Sequence, residues 1–549
     1  MYQSLQRTCR VVLLMLMTGS YSLTAQTTLL KDLNPGPGWS EFQVVFEIND
    51  LIYFTAVGPN GKELWLTDGT ADGTTELLDI NPGIIGSDPD RFLQADDRWF
   101  FVANDGTHGF ELWVTDGTAA NTQMVKDINP NANSSSPNEL FLADGFVYFS
   151  ANDGSNGIEL WRTDGTMTGT TLVRDIRTGS ESSFPRNMSY LPGSGQLIFS
   201  ADNGSTGAEL WASDGSTSGT VLLRDIQNGA TGSFPAQLTT AGDFVFFAAD
   251  DGVSGNELWR TDGTVAGTQL VQNISPGIGS ASPKGIQAIG EKLFFSADNG
   301  QNGLEFYWLD AGQDAALPVL EDLHTGKDSS FPSGYMMFQN EIYFNANNGL
   351  NGFELWKSNG TPNGTQLVKD VFPSFNSSAP VLLAASDDYL YFYANDGTTG
   401  FELWQTDGTT AGTTLVKDIN PVSAGGDNNS FPTKPVVVDN VLYFSAFNEQ
   451  KSWQIWKTTG DDTGAVLVTD IPNTAVFDGL YIPFFVKAIA DSVLFVTFTE
   501  AAGEEYWIYK PVPLVISDVS TNSPLACHGD TNGTIEVSIQ GGIGPADTY

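Results

Sequence analysis

The stretch SFPAQLTTAGDFVFFAADDGVSGNELWRTDGTVAGTQLVQNI, Ser233–Ile274, holds one complete unit of a pattern that fills most of the chain. Four short apolar runs stand out in it: a, Ala236–Thr240; b, Phe244–Ala248; c, Glu257–Thr261; d, Gln269–Ile274. They are separated by AGD, DDGVSG and DGTVAG, where Gly supplies positive φ and Asx side chains cap backbone N–H groups. The unit therefore predicts four strands joined by tight turns, with no helical period of useful length.

The pattern recurs on both sides. Its Trp returns at Trp65, Trp113, Trp161, Trp211, Trp259, Trp356, Trp404, Trp456 and Trp507, with Tyr307 in the one vacant place. A Pro keeps the same beat from Pro89 to Pro483. Ten units of about 48 residues, each with four strands, have the size of β-propeller blades. In Phe146–Ala151 (FVYFSA) and Leu390–Ala394 (LYFYA) large apolar residues fall on both faces, as a sheet between two neighbouring sheets requires. The expectation is an all-β protein, a β-propeller of about ten four-stranded blades, with two five-bladed rings as the alternative. One ring is favoured because the junction after the fifth unit, Ser275–Pro283, reads like the others. The tenth unit has strands a to c (Phe484–Ile489, Val493–Phe498, Glu505–Tyr509) and lacks d. Leu29–Leu33 (LLKDL), which matches Leu172–Ile176, is expected to supply it and close the ring.

Composition narrows the function. The chain has 549 residues, 24 Lys+Arg and 65 Asp+Glu, for a formal charge of −41. Nothing in that balance could neutralise a phosphate backbone or dock on an anionic lipid surface, so neither nucleic acid nor membrane is an expected partner. Arg7 and Arg10, then the apolar run Val11–Met17, then Leu23-Thr24-Ala25 before Gln26 read as a secretory signal peptide over residues 1–25. Cys9 lies inside it, which leaves Cys527 alone, with no internal disulfide and no Cys-based zinc site. The expected organisation is 1–25 signal peptide, 26–512 propeller and 513–549 a small β module.

The motif ELWxTDGTxxGT, seen from Glu159 and from Glu402, resembles the bacterial ELWxxDGT repeat over about residues 29 to 510. That resemblance implies an exported, propeller-like protein. The tail, with Cys527-His528-Gly529-Asp530, Asn532-Gly533-Thr534-Ile535 and Gln540-Gly541-Gly542, resembles the SprB repeat of surface adhesins of gliding bacteria. It implies a fragment of a longer protein, cell-surface attachment and export by the type IX secretion route.

Candidate chemistry is sparse. No HExxH, GxSxG or P-loop occurs, and the three His have no partner pattern. The Trp series reads as inter-blade core, and the TDGT aspartates (Asp68, Asp116, Asp164, Asp214, Asp262, Asp407) as caps of the c–d turn. Arg174 and Arg224, like Lys126, Lys369 and Lys417, hold one repeated place in strand d and look structural. Paired Asx residues in the b–c loops make Asp105, Asp153, Asp202, Asp251, Asp298 and Asp396 calcium candidates, with simple turn capping as the alternative. By topology the b–c loops and d-to-a connections share one face, and Phe184, Phe234, Phe331 and Phe431, each just before the Pro, lie at its rim as candidate ligand contacts. The expectation is a non-enzymatic, cell-surface binding or adhesion protein for a glycan or envelope partner; the alternative is a polysaccharide-active enzyme, a glycosidase or lyase, on the same scaffold.

Overall fold

A computed structural model describes residues 26–35, 40–49, 51–313, 316–421, 428–450, 452–461, 463–468, 482–489, 492–499, 503–510, 515–521 and 535–540. The predicted signal segment and most of the SprB-like motif lie outside them. Ten four-stranded antiparallel sheets stand in one ring, followed by a two-stranded sheet, Val515–Thr521 with Ile535–Gln540. Among the described residues the only helical element is the 3₁₀ turn Ala119–Asn121.

Blade 5 shows how the sequence becomes a blade. Strands a (Ala236–Ala241), b (Phe244–Asp250), c (Asn256–Thr261) and d (Gln269–Gln272) pair in chain order. Strand d stops two residues short of the expected Ile274. The reason is a competing acceptor: Ile274 N–H donates at 2.8 Å to the Glu257 carboxylate of strand c, which draws the chain out of the ladder. Strands a of neighbouring blades touch one another and form the inner wall.

The core lies between blades. Strand b is covered on both sides, so Phe246 and Phe247 are both buried although their side chains point to opposite faces. Phe246 and Leu258 of blade 5 pack with Phe295 and Tyr307 of blade 6 in one cluster. The junction after the fifth unit is thus a normal inter-blade interface, which excludes two separate five-bladed rings. Tyr307, in the Trp position, stacks on Phe295 at 5.4 Å. The Trp side chains are inter-blade core, as expected, and bury with the neighbouring blade's Leu and Val.

Ring closure joins the two ends of the propeller. Strand Gln26–Lys31 pairs antiparallel with Gly503–Lys510, placing Leu29 opposite Trp507 and Lys31 opposite Tyr506. Leu172 stands opposite Trp161 in blade 3 in the same way, with a bulge at the same step. The strand is therefore a true strand d, starting earlier than the expected Leu29 and ending at Lys31. Leu30 and Leu33 are buried between blades 10 and 1; Leu29 is half-buried. Ser40 Oγ donates at 2.6 Å to Glu505, tying blade 1 back to blade 10.

Leu33→Ala should cost about 2–4 kcal/mol, as for a buried leucine with little room to relax. Deleting Gln26–Asn34 should lower the melting temperature further and produce concentration-dependent association through the bared strand, read by size-exclusion chromatography.

Candidate ligand-binding face

The face is built by a glutamate. Nine of the ten strands c carry Glu at the second or third position, and the carboxylate is completely buried. In blade 3, Glu159 accepts N–H bonds from Ile176 at 2.9 Å and Ser183 at 3.0 Å, and the Ser183 hydroxyl at 2.6 Å. The acceptor thus grips both ends of the d-to-a connection, at offsets of 17 and 24 residues. Glu111, Glu209 and Glu354 repeat the arrangement with Ser135, Ser233 and Ser378. The serine's own carbonyl then accepts from strand b of the next blade, as Asp202 N–H to Ser183 O at 2.8 Å. One carboxylate therefore positions the connection and registers the following blade. Blade 9 carries Gln454, buried, in the same place.

Burial pushes these carboxyls upward, and the hydrogen bonds only partly offset it. Glu63, Glu111 and Glu505 are raised to about 7, Glu354 to about 6 and Glu402 to about 8.

The residue after each gripped serine, or after Ala281 in its place, is held left-handed. Glu41, Asp88, Ser136, Phe184, Phe234, Ser282, Phe331, Ala379 and Phe431 have φ between 43° and 50°, and glycine, which tolerates that region freely, is used at none of them. Phe184, Phe234, Phe331 and Phe431 share this topological place. Their N–H groups donate to the first strand-c residue, as Phe234 to Ala208 O at 3.1 Å. These residues remain 55%, 53%, 53% and 42% exposed. Phe331 lies 6.5 Å from Phe353, and Phe431 stacks on Phe401 at 5.8 Å. The b–c loops emerge beside them: Phe110 N–H, at the end of one such loop, bonds Ser134 Oγ in the connection. Ile278 and Phe375 in the connections and Val253 and Leu350 in the loops add exposed apolar side chains.

The calcium candidates fall into two different positions of the loop. Asp202 and Asp298 are the first Asx, each accepting one glycine N–H at 2.7 Å. Asp105, Asp153, Asp251 and Asp396 are the second, each Oδ1 capping two N–H groups, as Asp105 does for Thr107 and His108 at 2.8 Å. Among the described residues no three of His, Cys, Asp and Glu gather into a metal-holding group. The TDGT aspartates cap as expected: Asp164 Oδ1 accepts both the N–H and the hydroxyl of Thr166. Arg224 and Lys126 bond the next blade's turn, at Thr268 O and Thr170 O, and lie over the Trp259 and Trp161 rings.

The inner wall varies at the second residue after the Pro. Glu139, Asn187 and Gln237 line a groove of about 300 Å³ there. Their polar atoms tie blades together: Asn187 Nδ2 donates to Pro235 O, and Gln237 Nε2 to Pro283 O.

The sequence reading placed the rim phenylalanines and the caps but missed the glutamate. Its signal was there, in the recurrence of Glu before Leu-Trp with a Ser 24 to 28 residues later in most units.

Glu159→Ala strands four donors and should cost about 3 kcal/mol or more, whereas Glu159→Gln, as in blade 9, should cost about 1 kcal/mol. The raised carboxyls bind protons in the folded state that the unfolded chain has released. Their contribution is fully present below the ordinary glutamate value of 4.5 and is lost as pH rises through about 6 to 8. Melting temperature should therefore fall across that interval, most for wild type and less for a chain with several Glu→Gln changes. Since the Asx loops are already capped, melts in EDTA and in millimolar calcium should coincide; a calcium-dependent rise would mark occupied loops.

No family model and no curated protein matches the chain. Among solved structures, it is similar to a prolyl endopeptidase from a study of inter-domain dynamics in catalysis and specificity, at TM-score 0.35 and 13% identity, over 68% of this chain and 54% of that one. Puromycin hydrolase follows at 0.32 and 12%, over 76% and 61%. The chain thus spans little more than half the length of these structures.

Proposed function

We propose that the chain is an exported, non-enzymatic binding protein of the cell surface, which presents the face of b–c loops and d-to-a connections to a glycan or an envelope partner. One observation carries this reading: four phenylalanines at one topological position are exposed while their backbones are held left-handed. A side chain in that region costs about 1–2 kcal/mol relative to glycine. An exposed ring returns little of that to folding, so stability does not explain its choice. Aromatic faces on a rigid rim can stack on the apolar faces of sugar rings. The polar side chains of the inner wall are engaged in inter-blade bonds, which favours binding over catalysis on this scaffold. The signal segment, the ELWxxDGT pattern and the SprB-like tail support export and surface attachment.

The test separates binding from stability. Phe→Gly at positions 184, 234, 331 and 431 should leave the melting temperature unchanged or raise it, because glycine relieves the left-handed strain. The same quadruple variant should lose about tenfold or more of the affinity for polysaccharide or envelope fragments, read by affinity electrophoresis and pull-down. Undiminished binding by the quadruple variant overturns the reading.

A further inference from the structure

The repeat departs from itself on the loop face where blade 8 meets blade 9. Opposite the Leu before the repeated Trp, strand b carries Ser150 in blade 3 and Ser200 in blade 4, but Tyr393 in blade 8. Strand b of blades 3 and 4 ends in Asn152 and Asp202, which cap glycine N–H groups of the b–c loop at 2.7 Å. In blade 9 the same place belongs to Phe447, since its N–H bonds Ser430 O of the preceding connection as that of Asn152 bonds Ser135 O. Phe447 stands opposite Trp453, where blades 3 and 4 have Ile158 and Ala208.

These substitutions bring aromatic rings to both sides of the junction. Tyr393 meets Phe401 edge-on at 5.9 Å, and Phe401 stacks on the rim residue Phe431 at 5.8 Å. On the blade 9 side Phe447 and Trp453 meet edge-on at 5.9 Å. The 2.8 Å bond from Phe447 N–H to Ser430 O, one residue before Phe431, ties the two groups together. Tyr393, Phe401, Phe447 and Trp453 are only half-buried, so the rings are not spent on core packing. Polar side chains fix the backbone around them: Asn429 Oδ1 accepts Phe401 N–H at 2.7 Å, Asn448 Oδ1 accepts Gln450 N–H at 3.0 Å, and Glu449 N–H donates to Asn420 Oδ1 of blade 8 at 2.8 Å. The sector is therefore pre-organised, and Glu449 and Gln450 stand exposed beside Phe447.

We propose that the loop face of the blade 8–blade 9 junction is a subsite for a neutral oligosaccharide, whose sugar rings lie on Phe431, Phe447 and Trp453 and whose hydroxyls bond Glu449 and Gln450. Flat rings match the apolar C–H faces of a pyranose, and an amide beside a carboxylate supplies the donor and acceptors that hydroxyls require. The formal charge of −41 repels a polyanionic glycan and leaves a neutral one unaffected, which sets the class. This inference rests on the binding role proposed for the loop face and adds to it a place and a class of sugar.

The experiment uses the full chain and fluorescein-labelled cellohexaose, laminarihexaose and xylohexaose, followed by fluorescence anisotropy. Saturable binding of at least one, unchanged by added salt and not displaced by polygalacturonate, is expected. A triple variant, Tyr393→Ser, Phe447→Asn and Trp453→Ile, gives the sector the residues that other blades carry, and its melting temperature checks its fold. It should bind about tenfold or more weakly. Glu449→Ala with Gln450→Ala, at exposed positions that leave the fold alone, should weaken binding about threefold. Failure of all three hexasaccharides to bind, or displacement by polygalacturonate, overturns the proposal. Undiminished binding by a folded triple variant also overturns it: if the Phe→Gly quadruple variant has lost binding, the subsite alone falls and the loop-face reading stands, and if that variant also binds normally, both fall.

Discussion

A buried carboxylate that accepts from two ends of one loop holds this ring together. In blade 3, Glu159 satisfies the N–H of Ile176, where strand d gives way to the connection, and both donors of Ser183, where the connection ends. Ser183 passes the constraint on, since its carbonyl bonds Asp202 at the end of the next strand b. A chain of acceptor, loop and acceptor therefore runs from blade to blade, and the pitch of the ring follows from it. Removing the acceptor would leave several buried donors unpaired, the costly side of hydrogen-bond energetics. Gln454 in blade 9 shows that the place requires an acceptor of this shape more than a charge.

Two further contacts reinforce many of the junctions. The strand-d cation reaches across to the next blade's turn and lies over its Trp, as Lys417 does with Ala465 O and Trp456. In blade 1 the strand-b Tyr53 reaches the next Asp-Gly turn, at Gly117 O. Closure uses the same parts: Lys31 bonds Thr74 O, and Glu505 holds Ser40. The ends of the propeller are thus joined by the ordinary inter-blade interface with its strands drawn from distant parts of the chain.

The two faces carry different chemistry because different residues escape these constraints. On one, the connections are clamped at both ends, and the residue beyond the serine is turned outward in a left-handed conformation, where phenylalanine is exposed four times. On the other, the Asp-Gly turns collect carboxylates, each of which caps its own turn, as Asp407 does for the N–H and hydroxyl of Thr409. Variation within a repeat marks function more sharply than the repeated residues, whose work is to hold the ring.

The sequence by itself determined the number of units, the four strands of each, the two-sided burial of strand b and the missing strand of the tenth unit. All of these follow from local periodicity and turn chemistry, which are visible without knowing what packs against what. It also located Phe184, Phe234, Phe331 and Phe431 on the loop face. It did not distinguish Glu257, a buried clamp, from the many solvated acids, since burial of a charge is decided by the neighbouring loop that covers it. Nor did it reveal the left-handed backbone at phenylalanine, which a local preference would assign to glycine, or the bond by which Gln405 reaches Gly460 O of the next blade. Those were decided only when one blade was set against the next, because each depends on which groups of a neighbour 17 to 55 residues away reach the same small volume.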